Sequence, residues 1–181
     1  MVYILLAPGF EEIEALAPAD LMRRAGLEVV LVSVTGEAQV PGSHNISVTA
    51  DCTLDQVEPG KCRLLMLPGG MGGVNGIKAS AAALKLVETI HGQGKPVAAI
   101  CAAPTILGQL GLLDGKQAVC YPGLEDGLTG AQVPAGQRVV VDGEIITGQA
   151  AGSSLDFGLT LIETLLGSEK AEEVRKSVYY R

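Results

Sequence analysis

The chain has 181 residues, 48% hydrophobic and 18% charged, which suits a packed core and excludes a disordered chain. Thirteen Lys and Arg against 20 Asp and Glu give a formal net charge of −7 with no basic tract, so no nucleic-acid partner is expected. No apolar stretch approaches the ~20 residues of a membrane span, and the start lacks a leader's pattern, so a cytoplasmic protein away from membranes is expected.

Residues 2–7 form a short apolar run of strand type, broken by Pro8, Gly9 and Phe10. Glu11, Glu12 and Glu14 open a helix that runs toward Arg24 and ends at Gly26, with Pro18 implying a kink or a restart. Residues 27–34 are the next strand, and the strand–helix–strand unit implies a parallel pair with a right-handed crossover. Residues 42–45 read as a turn, 46–50 as an exposed or edge strand by their alternation, and 54–57 as a turn of helix at most. Residues 63–67 are a buried strand ending in the loop Pro68-Gly69-Gly70-Met71-Gly72-Gly73, and a long helix follows over about 80–91.

The run 97–100 is apolar throughout, as in a strand buried on both faces of a parallel sheet. It stops at Cys101 and passes through Ala102, Ala103 and Pro104 into a helix-like 105–110. A strand that ends at a nucleophile and turns into a helix has the logic of a nucleophile elbow, in which the helix N-terminus lowers a thiol pKa. A small buried Cys filling a core fits the same local pattern. Beyond it, 116–121 read as a strand and 122–131 as a loop. Residues 138–141 and 145–147 read as strands about the Asp142-Gly143 turn. Helices over 155–166 and from 168, the latter with a capping-box spacing, close the chain. The alternation, with no repeat or linker, predicts one α/β domain over 1–181, a layered sandwich on a mainly parallel sheet.

Ligands of such sheets bind outside the C-terminal ends of the strands. Three loops converge there: the carboxylate-rich 8–14, the glycine-rich 68–75, and 101–104. The glycine spacing fits neither a P-loop nor a dinucleotide fingerprint, and three glutamates would repel a phosphate. An oxyanion hole with Gly70 and Ala102 as N–H donors is the better reading, against a flexible turn. A solvated helix start accounts for Glu11 and Glu12. Glu14 differs if it turns inward toward Cys101, where burial would raise its pKa and keep it protonated. His44 and His91 are the only histidines and neither follows Cys101, so a conventional Cys–His dyad is disfavoured. The scattered His and Cys show no metal-ligand spacing. The four cysteines contain no C-x-x-C pair and read as free thiols, with Cys52, Cys62 and Cys120 structural.

Glu11-Glu12-Ile13-Glu14, Leu67-Pro68-Gly69-Gly70 and Ala99-Ile100-Cys101-Ala102-Ala103-Pro104, in this order, resemble the ThiJ/PfpI superfamily. The resemblance runs over nearly the whole chain and is nearest to the branch of the parkinsonism-associated protein deglycase and its bacterial relatives. It implies a flavodoxin-like three-layer sandwich, a homodimer, and no cofactor or metal. It implies a reactive, oxidisable Cys101 hydrogen-bonded by Glu14, with the Gly70 and Ala102 N–H groups facing a substrate oxygen. Gly69, Tyr121 and His44 fall in the implied substrate pocket, Tyr121 where some members carry a His and His44 where an Arg is matched. Ala103 stands where Gly is frequent. The implied activity is a cofactor-independent glyoxalase or deglycase acting on small reactive dicarbonyls or their early adducts. A redox-sensing stress protein or chaperone is the alternative, and a cysteine peptidase or amidotransferase is disfavoured.

Overall fold

The computed structural model describes residues 1–181. Strand β1 (Val2–Leu6) is buried along its whole length, as a continuous apolar run in a central parallel strand should be. Helix α1 (Glu12–Arg24) returns the chain to β2 (Val29–Ser33), parallel to β1. Pro18 neither breaks nor restarts α1, which is a single helix. A two-stranded antiparallel ribbon follows, β3 (Gln39–Pro41) with β4 (Ser47–Thr49), and then a short edge strand, β5 (Cys52–Thr53). The chain continues through β6 (Leu64–Leu67), α2 (Met71–Ala79), α3 (Ala81–Gly92), β7 (Val97–Ile100) and α4 (Pro104–Gln109). It closes with the hairpin β8 (Val139–Asp142) and β9 (Ile145–Gly148), then α5 (Ser154–Leu166) and α6 (Ser168–Ser177).

The seven-stranded sheet has the order β5-β2-β1-β6-β7-β9-β8, parallel except for β8 at one edge. Alternate residues of β1 divide the core. Val2, Ile4 and Leu6 pack with Leu21 and Met22 of α1, Phe157 and Leu161 of α5, and Val174 of α6. Tyr3 and Leu5 pack on the other face with Val74 and Ile77 of α2, Val87 and Ile90 of α3, and Ile106 of α4. The result is a flavodoxin-like helix–sheet–helix sandwich.

Three expectations are corrected. The glycine-rich segment is a loop only to Gly70; helix α2 starts at Met71 despite Gly72, Gly73 and Gly76. Each glycine costs about 1 kcal/mol of helix propensity relative to Ala. They are there for contact: a Cβ on Gly72 would lie 3.0 Å from Gly9 Cα, and one on Gly73 2.8 Å from Phe10 Cα. Close docking of α2 on the first loop overrides propensity. Residues 116–121 are not a strand. They form one isolated bridge, Gln117 with Gln132, and two of their donors go to side chains, Gln117 N–H to Asp142 and Val119 N–H to Thr147 Oγ1 at 2.9 Å. Ser168 makes no capping box; Gly167 is the N-cap of α6 and gives no side-chain bond.

Candidate active site

Strands β1, β6 and β7 end at the same edge, and each hands over to a loop that is bonded to its neighbours. Glu11 N–H donates to Gly69 O at 2.9 Å, and Ser43 N–H, from the β3–β4 ribbon, donates to Phe10 O at 2.8 Å. Cys101 follows β7 directly with φ 65, in the left-handed region that non-glycine residues rarely enter. Such backbone costs of the order of 1–3 kcal/mol and persists only where its surroundings impose it. Here Cys101 N–H is held by Gly148 O at 2.9 Å and Cys101 O by Tyr121 N–H at 2.8 Å. This elbow turns the thiol into the crevice.

Glu14, 1% exposed, reaches the thiol from below. Its Oε2 accepts the Gly69 N–H at 2.9 Å, and the carboxyl hydrogen-bonds Cys101. Gly69 is the spacer between them: a Cβ there would collide with Glu14 Oε2 and lie 2.7 Å from Cys101 Cβ. Burial pushes the Glu14 carboxyl up to about 7. Burial first, then the Glu14 charge, pushes the Cys101 thiol up to about 12. The backbone N–H groups of Ala102 and Gly70 are aimed at Cys101 and act in the opposite direction, but they do not win. The expected lowering of the thiol pKa by the helix start is therefore corrected. Helix α4 opens with Pro104, which has no N–H to offer, and desolvation beside a carboxylate outweighs two backbone dipoles.

The cavity above the thiol measures about 360 Å³ and is lined by Glu11, Ser43, His44, Gly70, Met71, Cys101, Ala102, Tyr121 and Leu124. Of the residues expected at the site, Cys101, Gly70, Ala102, His44 and Tyr121 reach it, whereas Glu14 and Gly69 lie beneath its floor. A second, larger cavity of about 480 Å³, bordered by Val34, Leu54, Ala82 and Lys85, has no cysteine in its lining.

Glu12 is not the solvated helix-start residue expected. It is 5% exposed and accepts His44 N–H at 2.6 Å, Ser43 Oγ at 3.1 Å and His44 Nδ1 at 2.9 Å. Burial works against its ionisation, but these bonds, led by that from the His44 ring, hold the carboxyl down at about 2. The hydrogen bond and charge of Glu12 in turn raise the pKa of His44. Glu11, half-buried, caps α1 by accepting Glu14 N–H at 2.7 Å. Oxygen and nitrogen atoms of Glu11, Glu12 and His44 lie within 4.8 Å of one another, the spacing of a metal-ligand set. Glu11 Oε2 and both Glu12 oxygens accept from the protein's own donors. The partnership of Glu12 with His44 left no signal in the sequence, because the two are 32 positions apart on different elements.

The family profile described as the DJ-1/PfpI family matches residues 1–164. The protein dj-1beta of Drosophila melanogaster is 36% identical over 176 residues, covering 97% of this chain and 94% of that protein. The DJ-1 homolog B of Arabidopsis thaliana is 38% identical over 174 residues, but this chain spans only 40% of its length. A protein of Pyrococcus abyssi named a deglycase is 32% identical over 152 residues, 83% of this chain and 90% of the relative. The solved structure of oxidized Toxoplasma gondii DJ-1 superimposes with a TM-score of 0.94 at 38% identity, covering 99% of this chain and 97% of that one.

Proposed function

Starting from a chain that belongs to the DJ-1/PfpI family, we propose that it is a cysteine-dependent, cofactor-independent enzyme of the glyoxalase or deglycase type, acting on small dicarbonyls. The observation that carries this reading is the pairing of the Cys101 thiol with the buried Glu14 carboxyl. A carboxyl poised near 7 is matched to proton transfer at neutral pH. A thiol held high needs no standing thiolate if its proton leaves as the bond forms. Cys101 Sγ attacks the aldehyde carbon of methylglyoxal and the Glu14 carboxylate takes the thiol proton. Glu14 gives that proton to the hemithioacetal oxygen, which faces the Gly70 and Ala102 N–H groups, and is a carboxylate again. It then removes the hydrogen on the sulfur-bearing carbon; in the enediolate the hydroxyl proton passes to the former ketone oxygen, and the Glu14 carboxyl returns its proton to the neighbouring carbon as the thioester carbonyl forms. The product is a 2-hydroxyacyl thioester on Cys101. Water cleaves it to lactate and the free thiol, with no net oxidation. The name of the Pyrococcus relative supports the deglycase variant of the same chemistry, in which the aldehyde is released from an early adduct.

A redox role is the second reading. Cys101 is part-exposed beside two backbone N–H donors and a carboxyl protonated in much of the population near neutrality, a setting that suits an oxidised sulfur anion. The oxidized T. gondii neighbour supports it. We also propose a homodimer, because Ile13 and Ile46 are 55% and 56% exposed on the α1 start and the ribbon. Sedimentation of wild type and Ile46→Glu tests this, a monomer being expected of the variant.

The test of function is methylglyoxal consumption without glutathione or metal, following lactate, in wild type and Cys101→Ser. Lactate that vanishes in the variant supports the enzyme. No lactate from wild type moves the weight to the redox role.

A further inference from the structure

Glu14 can move protons at the sulfur, but it is enclosed beneath Gly69 and 1% exposed, so it is badly placed to activate a water from solvent. The other side of the cavity has a group that is open to solvent. His44 is 69% exposed at its side chain, and Glu12 holds it by two hydrogen bonds, one to its main-chain N–H and one to its ring, while Ser43 Oγ donates to the same carboxylate. Gly42 leaves room for this carboxylate, since a Cβ there would lie 2.5 Å from Glu12 Cδ. With a carboxylate 2.9 Å from Nδ1, the neutral ring carries its proton on Nδ1, and Nε2 keeps its lone pair. The ring is thus oriented, tautomer-fixed and wet, in the cavity that holds the nucleophile.

We propose that Glu12 and His44 form a second proton-transfer pair, in which His44 Nε2 takes a proton from the water that hydrolyses the Cys101 2-hydroxyacyl thioester. This rests on the dicarbonyl reading and divides its labour: Glu14 serves formation and rearrangement of the adduct, His44 its release. The water oxygen bonds to the thioester carbon as its proton passes to Nε2, and the oxyanion faces the Gly70 and Ala102 N–H groups. The carbon–sulfur bond then breaks, sulfur leaves with the electron pair, and the imidazolium returns the proton to it. The hydroxy acid and the free thiol result.

The charged and titratable groups facing the ring are Glu12 at 2.9 Å and Glu11 at 3.9 Å from α1, with Cys101 and Tyr121 across the cavity. The hydrogen bond and charge of Glu12, with the charge of Glu11, raise the His44 pKa above its ordinary value.

The experiment follows lactate release and the Cys101 adduct, by intact mass, with methylglyoxal as substrate across pH in wild type, His44→Gln and Glu12→Gln. Loss of one general base should lower kcat about 100-fold in His44→Gln. The adduct should form at the wild-type rate and accumulate. Hydroxylamine, which attacks thioesters without a base, should restore release. Glu12→Gln should move the ascending, acid-side limb of kcat, which reports deprotonation of His44, to lower pH. Equal kcat in wild type and His44→Gln overturns the proposal, as does a parallel loss of adduct and lactate. Absence of any Cys101 adduct in wild type overturns the dicarbonyl reading and this proposal with it; a normal adduct with normal release in His44→Gln overturns the role of His44 alone.

Discussion

Replacing Glu14 by Gln should make the protein more stable, and more so as pH rises. Glu14 is enclosed, and burial lifts its carboxyl from the ordinary 4.5 to about 7. Between those values the folded state holds a proton that the unfolded chain has released. Stability therefore falls as pH climbs through the window and is lowest above the folded value. The shift of about 2.5 pH units corresponds to about 3 kcal/mol at 1.36 kcal/mol per unit. Gln has almost the same shape. Its Oε1 can accept the Gly69 N–H now bonded at 2.9 Å, and its amide can face the Cys101 sulfur. It cannot ionise. Urea unfolding of both proteins at pH 5 and pH 8 should show a difference that grows by about 3 kcal/mol in favour of the variant. Titrations elsewhere are common to both and cancel. A difference that stays constant with pH would refute the reasoning, because it would mean that Glu14 ionises in the fold at no penalty.

Gly69→Ala should reduce kcat/KM at least about tenfold and lower stability by about 1–3 kcal/mol, since its methyl meets Glu14 Oε2 and the Cys101 Cβ; steady-state kinetics and denaturation check it. Cys101→Gly should be about 1 kcal/mol more stable than Cys101→Ala in urea, because only glycine accepts φ 65 without strain. Limiting peroxide should oxidise Cys101 ahead of Cys62 and Cys120, which are 3% and 4% exposed; peptide mass spectrometry reads the order.

Much of the fold was legible because burial in a parallel sheet writes itself as uninterrupted apolar runs, as in β1 and β7, and because the Asp142-Gly143 turn fixes its hairpin. The start of α2 was not, since Gly72 and Gly73 serve contacts with a loop 63 residues earlier rather than their own helix. Nor was the failure of 116–121 to pair, where Asp142 and Thr147 intercept the donors a strand would use. At the site, Cys101 and the two glycines announced themselves by position after strands. The three glutamates did not sort themselves. Successive helix residues point about 100° apart, so Glu11 caps the helix, Glu12 grips the ribbon and Glu14 lies under the thiol. The sequence shows three like charges within four residues; their three roles depend on which neighbour each direction meets.

The close approach of Gly69, Gly70, Gly72 and Gly73 to Gly9, Phe10 and Glu14 has an evolutionary consequence. On that side the wall of the cavity is main chain laid against main chain, and a mutation has almost no side chain to exchange there without a collision. Descendants of this sequence that come to accept a different small molecule must therefore change at the opposite rim, at Met71, Tyr121 or Leu124, which line the open part of the pocket. The reacting machinery and the selectivity of the pocket are thus able to diverge separately.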